Sequence, residues 1–70
     1  MGEQLVNITG DYITLSQLLK KLSLISSGGE CRFFLQEHVV KVNGAVEARR
    51  GRKLYIGDRI TIAGQDIVLG

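Results

Sequence analysis

Seventy residues contain no proline, one cysteine and one histidine. A lone cysteine cannot close an internal disulfide, and one Cys with one His falls short of a metal site, so neither a disulfide framework nor a metal takes the place of a core. No signal peptide, no apolar run of membrane-spanning length and no lipidation motif is found. A reducing, cytoplasmic setting without membrane contact is expected. Internal repeats, low-complexity tracts and linkers are missing too, which fits one domain over residues 1–70. A chain this short buries only roughly 60% of its unfolded surface and has little room for a deep active site. Cys31 could be a nucleophile only with a nearby base and an orienting group, and neither is evident. The expectation is a protein without catalytic residue, cofactor or metal.

What the chain does have is positive charge in one place. The formal net charge is +2, but between Arg32 and Arg59 stand seven bases against three acids, and the remainder is slightly acidic. Arg49, Arg50, Arg52 and Lys53 put four bases into five positions. A basic block on a small, otherwise acidic domain is the footprint of a polyanion binder; the plain alternative is a solvated loop.

The period-two alternation of Gln4 to Thr9 predicts a strand, closed by Gly10-Asp11. Thr14-Leu15-Ser16-Gln17 matches a capping box, with Ile13 and Leu18 placed for a hydrophobic staple. Leu15, Leu18, Leu19 and Leu22 follow at helical spacing and predict a core-facing stripe. Ser27-Gly28-Gly29-Glu30 repeats the capping pattern and predicts a second helix of about ten residues, with Cys31, Phe34, Leu35 and His38 on one face. Asn43-Gly44, between Val40/Val42 and Ala45/Val46, is the strongest hairpin signal, because both turn residues tolerate positive φ. Further strands are predicted over Leu54 to Ile56, Arg59 to Ala63 and Asp66 to Leu69, with turns at Gly57-Asp58 and Gly64-Gln65. The fold class is α+β: two short helices packed on one side of a small, mostly antiparallel sheet, in the order β-α-α-β-β-β-β.

LSQLLKKLSL, SGGEC, VKVNGAVE, RRGRKL and GDRITI occur in that order between Leu15 and Ile62. Together they resemble the RNA-binding domain named after ribosomal small-subunit protein four, the alpha-L RNA-binding motif, and most of all its small stand-alone bacterial versions. The core helix-helix-hairpin motif would span residues 14–62. The resemblance implies RNA binding without catalysis, with structured RNA (ribosomal or transfer RNA) as target, and association with ribosomal particles or their assembly. A monomer is expected. The family often has a base where Thr14 stands, an acid at Ser16 and an arginine at Gly28. Gly28-Gly29 offers bare N–H groups at a helix N-terminus instead. The family's glycine at the end of the second helix is His38 here, which tolerates a left-handed cap with some strain.

The candidate RNA-binding residues are Ser16, Lys20, Ser27, Gly28, Gly29, Arg32, Gln36, Lys41, Arg49, Arg50, Arg52 and Lys53. Arg32 and Gln36 lie one turn apart on the flank of the second helix, where an ordinary surface pair with Glu30 is the plain reading. Ser16 and Lys20 share the matching shoulder of the first helix, Lys21 points further round, and Lys41 alternates outward from Val40 and Val42. Phe33 projects away from its helix's apolar face, to stack on a base or to pack on protein. Cys31 reads as a buried inert thiol.

Two other classes compete. Small sulfur-carrier proteins share a TLSQLLKKL-like helix, a VNG turn and a GDR-like strand start, but end in Gly-Gly and have a strand where Ser27 to His38 predicts a helix. A protein-binding adaptor would use Phe33 and an edge strand.

Overall fold

A computed structural model describes residues 3–70. The elements are β1 (Glu3–Val6), β2 (Ile13–Thr14), α1 (Leu15–Lys21), α2 (Gly28–Glu37), β3 (Val40–Val42), β4 (Ala45–Val46), β5 (Lys53–Leu54), β6 (Arg59–Ile62) and β7 (Gln65–Leu69). Five strands form one sheet in the order β1-β7-β6-β3-β4, and β2 pairs with β5 in a separate two-stranded ladder. Only β1 and β7 run parallel; the other pairs are antiparallel.

The helix predictions hold with two exceptions. Thr14 caps α1 by a full capping box: the Gln17 N–H donates to Thr14 Oγ1 at 3.2 Å and the Thr14 N–H donates to Gln17 Oε1 at 2.9 Å. Leu15, Leu18 and Leu19 are fully buried and Leu22 packs half-buried beside them. The helix ends at Ser23 in the left-handed region, φ 60°. There the Leu24 N–H donates to Leu19 O and the Ser23 N–H to Lys20 O, the pairing of a Schellman motif with serine where glycine is usual. Ser27 does begin α2, but its hydroxyl caps nothing, so the second capping box is not formed. His38 is the other exception. Its φ is −125°, extended backbone, and the chain passes directly into β3 without a left-handed cap. Its ring rests 4.5 Å from that of Phe34.

Strand alternation sets the layers. Val40, Val42, Ile60, Ile62, Ile67 and Leu69 face the helices and join the α1 leucines, Ile25, Cys31 and Leu54 in one core. Lys41, paired with Val46 and Thr61, lies on the opposite, solvent face. Asn43 and Gly44 both take positive φ, as the two-residue hairpin requires. The last turn is at Ala63-Gly64, also at positive φ, one residue earlier than the predicted Gly64-Gln65. Three strands are shorter than expected, β1 stopping at Val6, β5 covering two residues and β6 stopping at Ile62, and β2 was not anticipated. A two-residue strand carries too few positions to show a period.

Candidate nucleic-acid interface

The chain from Glu47 to Lys53 links the hairpin to β5 and is held from both sides. The Glu47 N–H donates to Val40 O at 2.8 Å, extending the hairpin by one residue and turning the Glu47 side chain inward. On the other side, Leu15 N–H donates to Arg52 O and Ser16 N–H to Arg50 O, both at 2.9 Å. These are the first N–H groups of α1, which an isolated helix leaves without partners. The basic segment therefore supplies the carbonyls that finish α1, and the pairing of β2 with β5 continues the attachment.

At the start of the segment sits one carboxylate whose inward turn was not anticipated. Glu47 Oε2 accepts from Arg49 Nε at 3.0 Å and from the Arg49 N–H at 3.1 Å, while Oε1 accepts from Arg52 Nη1 at 2.6 Å and Arg49 Nη2 at 3.2 Å. Its side chain is 8% exposed. The Arg49 guanidinium, then that of Arg52, then the Arg49 N–H hold its pKa at about 2, below the usual 4.5. Two of the four basic side chains, Arg49 and Arg52, are pinned by this carboxylate. Yet one negative charge does not cancel four positive ones, and the Arg49 side chain remains 77% exposed. The clamp fixes where the guanidinium forks point and leaves a positive excess for a polyanion. A signal was available in sequence: a single acid two and five residues before arginines, in a stretch otherwise basic.

Two open grooves flank this segment. One, of about 390 Å³, is lined by Arg32, Leu35, Gln36, Ala48 and Arg50. It joins the flank of α2 to the basic segment, so Arg32, Gln36 and Arg50 line one groove. The other, of about 590 Å³, is lined by Arg49, Gly51, Arg52, Lys53, Tyr55 and Asp58. Lys53 Nζ stands 4.9 Å above the Tyr12 ring.

The remaining candidates are spread out. Ser16 takes part through its backbone N–H, and Lys20 is exposed one turn further along α1. Lys21 lines a separate groove with Tyr12 and Gln17. Ser27, Gly28 and Gly29 form the exposed start of α2, where a Cβ on Gly28 would meet nothing within 4 Å. Lys41 is separated from Arg32 and Arg50 by the sheet, so the hairpin's outward lysine does not join the groove. Arg59, counted within the basic block, pairs with Glu3. Phe33 is exposed and Cys31 fully buried. Among the described residues no cluster of three metal-ligating side chains occurs, and no helix is long and apolar enough to cross a membrane.

Comparison with known proteins gives the family. A chain of Bacillus subtilis (strain 168), provisionally named ribosome maturation protein RlbA, is 49% identical over 59 residues, covering 84% of this chain and 83% of that protein. One of Escherichia coli (strain K12), provisionally named RNA-binding protein YbcJ, is 34% identical over 56 residues, 80% of each. The family description "S4 domain" matches residues 6–69. With a helix pair, hairpin and basic segment in the expected order and a family match over nearly its whole length, the chain belongs to the S4 domain family.

Proposed function

We propose that this S4 domain protein binds structured RNA without catalysis, with ribosomal RNA as its target and the bacterial ribosome or its assembly intermediates as its setting. The observation that carries the reading is the anchoring of Arg50 and Arg52 through their own carbonyls to the first turn of α1. A backbone held this way, together with the Glu47 clamp on the Arg49 and Arg52 side chains, has less freedom to lose on meeting a phosphate backbone, which removes part of the usual cost of ordering on binding. Arg32, Gln36 and Arg50 form the first contact line, and Arg49, Arg52 and Lys53 the second. The names of both relatives point the same way, and a cytoplasmic monomer fits such a role.

The sulfur-carrier alternative is not favoured. Residues 28–37 are helical where those proteins have a strand, and Gly70, next after β7, is hydrogen-bonded, its N–H donating to Val6 O and its carbonyl accepting from the Ile8 N–H. Crosslinking in cells, followed by sequencing of the attached RNA, tests the proposal. Crosslinks gathered at a few discrete positions in ribosomal RNA are expected. A scatter in proportion to RNA abundance would overturn it.

A further inference from the structure

The chain has two tyrosines and no tryptophan. Both tyrosines stand together. Antiparallel pairing of Ile13 with Leu54 and Thr14 with Lys53 places Tyr12 opposite Tyr55, one step past the end of the β2–β5 ladder. Their ring centroids are 6.2 Å apart with the planes tilted by 55°. Rings serving only as a cover for the core would be buried, but Tyr12 is 43% and Tyr55 49% exposed. Around them is positive charge: Lys53 lies over Tyr12, and Tyr55 lines the groove with Arg49, Arg52 and Lys53. The one carboxylate of that groove, Asp58, is engaged, accepting from the Tyr55 N–H at 2.8 Å and from Asn43 Nδ2 at 3.2 Å. Those bonds also fix the backbone that carries the Tyr55 ring.

Aromatic faces beside a cationic groove are what an unpaired nucleotide needs, a surface for the base and guanidinium or ammonium groups for its phosphates. A base stacked inside a duplex offers no free face to a side chain. We propose that Tyr12 and Tyr55 form a stacking platform for an unpaired segment of the bound RNA, on the side of the basic segment away from Arg32 and Gln36. The proposal rests on the RNA-binding reading and deepens it, since it assigns a single-stranded element to the target.

Because both tyrosines belong to the platform and the chain has no tryptophan, intrinsic tyrosine emission reports directly on it. The full chain is titrated with a short oligouridylate and, separately, with a blunt RNA duplex. Emission should be quenched by the single strand and not by the duplex. The double variant Tyr12→Ser/Tyr55→Ser should bind oligouridylate about tenfold or more weakly, the loss expected for one base–aromatic stack. Its duplex affinity should change little, and Tyr12→Phe/Tyr55→Phe should retain single-strand affinity. Oligouridylate binding with unchanged emission, or equal quenching by both RNAs, overturns the platform and leaves RNA binding intact. Failure to bind either RNA overturns the RNA-binding reading as well.

Discussion

Arg52 Nη1 lies 2.6 Å from Glu47 Oε1, and the same carboxylate holds Arg49. A single buried acid thus sets the direction of two of the basic segment's four cations. Its removal separates two ideas about how the segment works. Glu47→Gln adds one positive charge to the segment, so a purely electrostatic surface would bind RNA more tightly. If the carboxylate positions the guanidinium forks, affinity falls severalfold despite the added charge, and stability drops slightly as charged hydrogen bonds to the exposed Arg49 and partly exposed Arg52 are lost. Filter binding and urea denaturation of the variant distinguish the two.

The same residue gives the fold an acid dependence with a definite window. Its folded pKa, about 2, is below the unfolded value of 4.5. Between those values the unfolded chain binds the extra proton, so stability rises with pH across the window and is lost as pH falls through about 2. Urea midpoints of the native chain should hold steady above pH 4.5 as far as Glu47 is concerned, and below it fall more steeply than those of Glu47→Gln. Parallel declines would show that the clamp contributes nothing to folding.

Two turns hold non-glycine residues in the left-handed region at positions where nothing in the site needs them. Ala63 has φ 49° in a hairpin turn that is otherwise the counterpart of Asn43-Gly44. Replacing Ala63 with asparagine gives that turn the Asn-Gly pair favoured there and should stabilise the fold by about 0.5–1 kcal/mol. Ser23→Gly should act likewise at the end of α1. Thermal unfolding checks both, and an unchanged or lower Tm contradicts the turn assignments.

Where local signals suffice, the sequence was readable: the Thr14 capping box, the leucine stripe, the extent of α2 and the Asn43-Gly44 hairpin all depend on residues a few positions apart. Elements that depend on distant partners were not. β2 exists because Ile13 and Thr14 meet Lys53 and Leu54, and the extended His38 because β3 follows at once. The same division runs through the site. Arg49, Arg50, Arg52 and Lys53 stood out by density and Lys41 was legible as outward from its alternation, but the inward turn of Glu47 and the meeting of Tyr12 with Tyr55 follow from sheet register, which composition does not display.

The claim tested most directly is that Arg32 and Arg50, brought together across one groove, contact RNA phosphates. The measurement is the slope of log affinity against log salt, for the native chain and for Arg32→Ala/Arg50→Ala. Four to six phosphate contacts give the native chain a slope of roughly −3 to −5. The double variant should bind all RNAs more weakly with a slope shallower by about 1.5, and its urea midpoint should be unchanged, since neither side chain belongs to the core. A variant that binds with the native slope would contradict the account.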